Sequence, residues 1–239
     1  MKAMMTLIGA LALSCASAAW AGDAVATSVA ANGGSSRAQA VSTGNGSATA
    51  HSAATNGGQA VANAEANGRG RGEAVSTAIA VADRGRAASN SVANATGVLG
   101  GRSVALSDST AATVGGVAVS NSRADAGSAY GGTAVSRSSS LALSRYGVAT
   151  SDSVANSRGV LGGRAVATSD SVADSHGGIA RSRVVADAAG RWHGTAEANG
   201  TGVSMSGPAR WSRANVHAQS RATWFGHSRA NAAIVEVRR

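Results

Sequence analysis

The sequence is short of almost everything that ordinarily builds a globular core. Aromatic residues make up 3% of its 239 residues, and there is one Pro and one Cys. Most of the 44% counted as hydrophobic is Ala and Val, which excludes a core of interlocking Leu, Ile and Phe. Charged residues are 14%, too few for the highly charged kind of disordered chain, so the disordered alternative is a coreless Gly, Ser and Ala polymer. After Lys2 every basic residue is Arg, twenty against twelve acids. That excess favours acidic partners such as polysaccharide, a cell surface or extracellular nucleic acid, and also serves solubility.

The N-terminus has the three parts of a secretory signal peptide: Lys2, an apolar run from Ala3 to Leu13, and Ala19-Trp20-Ala21 before Gly22. Residues 1–21 are therefore expected to be removed near Ala21, which places the mature chain outside the cytoplasm, secreted or on the cell surface, with the periplasm as an alternative and bacterial export as the setting. Ala12-Leu13-Ser14-Cys15 lacks the Leu that a lipoprotein signal has three residues before its Cys. Removal of Cys15 leaves no thiol, so disulfides cannot stabilise a secreted fold and backbone pairing must. No later stretch is long and apolar enough for a transmembrane segment in the mature chain.

What the chain has in quantity is a rhythm. Gly85, Gly101, Gly116, Gly132, Gly147, Gly163, Gly178 and Gly194 follow one another at steps of 16 and 15 residues in strict alternation, a 31-residue repeat made of two unequal halves. Within a half, every second residue is small: Ser103, Ala105, Ser107, Ser109 and Ala111, or Ala149, Ser151, Ser153, Ala155 and Ser157. Period two is a strand signal. The positions between carry Asn94, Asp125, Asn156 and Asp187 at steps of 31, with Asp108, Arg137 and Asp170 on the same face. Burying those charges would be costly, so the Ala/Ser face is expected inward and the mixed face outward, with Val104, Val119, Val135 and Val166 beside the turns.

These features predict an all-β, two-sheet β-solenoid with ~31-residue coils, two strands of about nine residues per coil and a thin Ala/Ser core. An antiparallel β meander and a largely disordered low-complexity chain are the alternatives. The organisation expected is a signal peptide over 1–21, an irregular N-terminal solenoid or frayed region over 22–71, a regular solenoid over 72–207 and an Arg/Trp-rich C-terminal cap over 208–239. The closing ANAAIVEVRR alternates as a final strand would.

Chemistry-bearing patterns fail one by one. His51, His176, His193, His217 and His227 have no metal-ligand spacing, GRGRG at 68–72 lacks the Lys-Ser/Thr of a phosphate loop, and there is no Gly-x-Ser-x-Gly elbow. The sequence therefore predicts a non-enzyme with no catalytic residue, cofactor, metal or small-molecule substrate. The positions that suggest binding are Arg191, Trp192, Arg210, Trp211, Arg213, Arg221, Trp224 and Arg229, where Arg offers charge and Trp a stacking plate for an anionic polymer.

GGTAVSRSSSLAL and GGRSVALSDSTAA resemble the Gly-Ser-Val-Ala repeats in the heads of trimeric autotransporter adhesins. The spacing and the Ile-Gly ending of those repeats are absent, so no binding residue and no trimer is carried over. Three functions are expected: a secreted structural or adhesive repeat protein that self-associates into fibre or matrix; an ice-binding protein; and a basic module for acidic polysaccharide or extracellular nucleic acid.

Overall fold

The computed structural model describes residues 15–19, 24–30, 35–43, 46–54, 57–70, 73–97, 102–206, 211–224 and 226–238. They form β-strands and no helix. In chain order the strands are β1 (Cys15–Ala19), β2 (Ala24–Ala30), β3 (Ser35–Thr43), β4 (Gly46–Ala54), β5 (Gln59–Gly70), β6 (Glu73–Asp83), β7 (Arg86–Gly97) and β8 (Arg102–Val114). There follow β9 (Val117–Ser128), β10 (Thr133–Ser144), β11 (Val148–Gly159), β12 (Arg164–Ser175), β13 (Ile179–Arg191), β14 (Thr195–Ser206), β15 (Ser212–Thr223) and β16 (His227–Arg238). Odd-numbered strands make one eight-stranded sheet and even-numbered strands the other, and pairing within each is parallel. The chain is a two-sheet β-solenoid. A meander is excluded, because each strand pairs with the strand two places on rather than with its neighbour in sequence.

From β6 to β14 partners in register are 31 residues apart, as in Ala134 with Ala165 and Ala149 with Ala180. The last rung steps by 32, Ala180 to Ser212 and Ala196 to Ser228. Toward the N-terminus the step shortens to 27 between Gln59 and Arg86 and to 24 between Ser35 and Gln59. The region before residue 72 is thus solenoid with shorter rungs wherever it is described. Residues 1–14 and 20–23, most of the expected signal peptide, lie outside the described residues.

Burial follows the alternation: Ala134, Ser136, Ser138 and Ala142 of β10 have no exposed surface, while the residues between them are partly or fully open. The strands exceed the expected nine residues, reaching 12 in β9, β10, β11 and β12. Small buried residues continue beyond the pattern at Ser128, Ser144 and Ser175, and ladder hydrogen bonds form whatever side chain points outward. A strand of this length spans roughly 40 Å, and eight stacked rungs rise about 38 Å. The molecule is a plate, not a long needle.

Two rows of serine run through the core. In one, Ser89, Ser109, Ser120, Ser140, Ser151, Ser171 and Ser182 alternate between the sheets, and each hydroxyl from Ser109 onward donates to the main-chain carbonyl of the serine before it, as in Ser120 to Ser109 at 2.7 Å and Ser151 to Ser140 at 2.7 Å. In the other, Ser91 donates to the Ser76 carbonyl, Ser107 to that of Ser91 and Ser153 to that of Ser138. A hydroxyl reaches the facing backbone only because the side chains between the sheets are so small. Each such bond contributes about 1 kcal/mol net, whereas a buried hydroxyl left unpaired costs about 1–3 kcal/mol.

The second row changes character near the C-terminus. The position of Ser153 becomes Val184 in the next rung, and that of Ser169 becomes Gly200. A side chain at Gly200 would meet Val184 Cγ1 at 3.1 Å and Val216 Cγ1 at 2.9 Å. Valine in one sheet is thus accommodated by glycine in the other. Strands β15 and β16 form the last rung.

The two edges of the plate differ. At the edge after each odd strand, Tyr130, Leu161, Trp192 and Trp224 stand one above another in the left-handed conformation, with φ from 55 to 59°. Trp192 is followed by His193, also at φ 60°, where the two rungs before have Gly131 and Gly162. The opposite edge, after each even strand, carries Gly85, Gly116, Gly147 and Gly178. Among the described residues no helix is long and apolar enough to cross a membrane.

Candidate functional site

The outer faces of the two sheets are chemically unlike. Between β7 and β15 the odd sheet turns outward Arg86, Arg123, Arg158, Arg181, Arg183, Arg191, Arg213 and Arg221 against Asp125, Asp152 and Asp187. From β6 to β16 the even sheet turns outward Arg102, Arg137, Arg164 and Arg229 against Glu73, Asp83, Asp108, Asp170, Asp174 and Glu197. It also carries an apolar column, Ile79, Thr110, Leu141, Val172, Val203 and Val235. A basic face therefore backs onto an apolar, acidic one.

The basic face is strongest in its last two rungs. Arg181 is in register with Arg213, Arg183 with Asn215, and Asp152 of the rung before with Arg183. Together with Thr150, Ile179 and the 76% exposed Trp211 they line a surface groove of about 700 Å³. Burial pushes the Asp152 carboxyl up from its ordinary 3.8, and Arg183 partly offsets this. On the even face burial raises Asp108 likewise, with Arg137 opposing.

A raised carboxyl binds its proton more tightly in the folded than in the unfolded chain, so the penalty on stability is full at neutral pH and lifts as pH falls through the folded value toward 3.8. Melting of the wild-type protein is accordingly expected to move to higher temperature on mild acidification from pH 7. The Asp108→Asn, Asp152→Asn double variant should melt higher than wild type at pH 7 and gain less from acid. Equal pH slopes in the two proteins would refute this.

Toward the other edge a smaller groove of about 360 Å³ lies between Arg158 and Arg221, over Ala189. Asp187 lines it. On this face amides form ladders: Asn94 Nδ2 donates to Asn67 Oδ1 at 2.9 Å and Asn156 to Asp125 Oδ1 at 2.7 Å in the column of Asp187, and Asn121 donates to Asn90 at 2.8 Å in that of Asp152. One rung beyond Asn156, Asp187 is the second carboxylate of the Asn67 column, after Asp125, and has no proton to donate. Its Oδ1 is buried without a hydrogen-bond partner, in company only with the hydroxyls of Ser136 and Ser212 among the described buried side chains.

The eight positions singled out by sequence do not form one cluster. Trp211 and Arg213 stand at the start of β15, and Arg221 near its end, on the odd outer face. Trp192 and Trp224 meet at the edge as a stacked pair, 4.9 Å between ring centroids and 10° between planes, with Arg191 at the adjoining end of β13. Arg229 faces away on the even sheet, in register with Glu197. Arg210 lies outside the described residues. No protein-family model, curated protein or solved structure matches this chain. Its chemistry is legible only from its own surfaces. Arg181, Arg183, Asp152 and Asp187 were missed because they sit within the regular repeat. A step of 31 or 32 taken back from Arg213, Asn215 and Gln219 reaches Arg181, Arg183 and Asp187, and one more from Arg183 reaches Asp152.

Proposed function

We propose that the chain is a secreted or cell-surface structural protein with an adhesive role, a stiff plate that holds outward side chains in fixed ladders. The observation that supports it most is the paired serine rows with continuous parallel ladders, which fix every outward residue at one rung spacing from its equivalents. The signal-like start supports export. Cleavage near Ala21 would remove β1 from the edge of β3.

Two features favour a discrete plate over an end-to-end fibre. Rungs with a 24-residue step at one end and a 32-residue step at the other do not match as head and tail. In the final strand Ile234 and Glu236 occupy the register of inward-facing Gly202 and Ser204, and Glu236 Oε1 accepts the Ala214 amide proton at 2.8 Å. Bulky or charged residues aimed inward at an open edge discourage further strands from adding.

The test is expression of the full chain in a bacterial host. A mature protein beginning at Gly22 outside the cytoplasm, with a β circular-dichroism spectrum, a cooperative melt and discrete particles by negative stain, is the expected result. Full-length protein retained in the cytoplasm, or a coil spectrum without a melt, would overturn the reading.

A further inference from the structure

We propose that an acidic polysaccharide lies along β15 on the basic outer face, running from Trp211 at one edge of the plate to Trp224 at the other. This rests on the adhesive reading and names the partner.

The outward row of β15 is Arg213, Asn215, His217, Gln219 and Arg221, with Trp211 just before its start, and Trp224 follows its end at the edge. Arginine, amide and indole thus recur on one side of a single extended strand roughly 40 Å long. Beneath it Arg181 and Arg183 deepen the groove at one end, and Arg158 flanks the notch at the other. Trp224 is 63% exposed and ends the aromatic column, since β15 and β16 are the last strands of their sheets. Left-handed backbone at consecutive bulky residues, Trp192 and His193, is strained. A backbone conformation that glycine adopts freely is here given to exposed indole.

The ligand must suit acceptors as well as cations. Asp152 stands among the arginines of the larger groove, and Asp187 lines the smaller one. A uronic-acid polysaccharide offers carboxylates to Arg213 and Arg221, hydroxyls to the Asp152 carboxylate, and the apolar faces of its rings to indole. A phosphate backbone satisfies the arginines but leaves the carboxylates opposed to its charge. The opposite plate face, acidic and apolar, lacks this combination.

The experiment measures binding of the mature protein to polygalacturonate, to neutral dextran and to single-stranded poly(dT), across a salt series. Polygalacturonate is expected to bind, to weaken as salt rises and to perturb tryptophan fluorescence, while dextran does not bind. Arg213→Ala and Arg221→Ala should each weaken binding about tenfold and lower the salt slope by about one. Trp211→Ala should weaken it similarly, and Arg137→Ala on the other face should leave it unchanged. Asp187→Asn, which can donate along the amide ladder, should raise the melting temperature. Circular dichroism of each sample separates the two readings: an unfolded wild type defeats the plate itself. A folded wild type that ignores polygalacturonate, prefers poly(dT), or loses binding equally with Arg137→Ala overturns the assignment to β15.

Discussion

Replacing Gly147 by alanine is expected to cost at least about 3 kcal/mol and to lower the melting temperature by on the order of 10 °C. A Cβ built there would overlap the Gly116 carbonyl oxygen of the rung before. That oxygen already accepts from the Val148 amide at 3.0 Å and from Ser144 Oγ at 3.2 Å, so it cannot withdraw without breaking the corner. Gly85, Gly116 and Gly178 face the same obstruction from the rung before each. Gly127, at an outward position of β9, has open space where its Cβ would go. Gly127→Ala should therefore be neutral or stabilise by a few tenths to about 1 kcal/mol through reduced chain entropy. Comparison of the two variants by thermal melting separates close approach from any general intolerance of the fold to alanine. Similar melting temperatures for both would refute the account.

Ser153→Val should be the most damaging change among the core hydroxyls. Ser153 donates to the Ser138 carbonyl at 2.8 Å and accepts from Ser169 Oγ at 2.9 Å, so valine both crowds the gap and strands the Ser169 hydroxyl. A loss of about 3 kcal/mol is expected, combining overpacking with an unpaired buried hydroxyl. The protein itself shows how this is relieved: one rung later the same two positions are Val184 and Gly200. Ser169→Gly in the Ser153→Val background should then recover stability, with a coupling of about 1–3 kcal/mol in a double-mutant cycle read by denaturant unfolding. Strict additivity of the two changes would sink the idea that the pair acts as a unit.

Much of the fold was legible because its logic is periodic. Alternating glycine steps gave the rung, and the Ala/Ser alternation gave the inward face, since side chains on a strand can point only two ways. Strand length was underestimated, as at β12, where the small residues run on to Ser175. Ladder pairing depends on backbone, so composition does not mark where it stops. The binding surface was the least legible part. Trp192, Trp211 and Trp224 read as one group of binding positions, yet 32 residues is one rung and puts Trp192 under Trp224, whereas Trp211 falls partway round the coil on the other edge. β15 and β16 obeyed the same rhythm as the rest, disguised by an insertion of one residue.

The serine rows also have a direction. From Ser109 to Ser182 each hydroxyl proton points to a carbonyl of an earlier residue, never a later one. Carbonyl oxygen can only accept, so in each of these bonds the hydroxyl is the donor. A segment leaving the ribosome after its N-terminus meets acceptors that are already in place. The completed rung is the template for the next, and the order of synthesis coincides with the order in which donors find their partners.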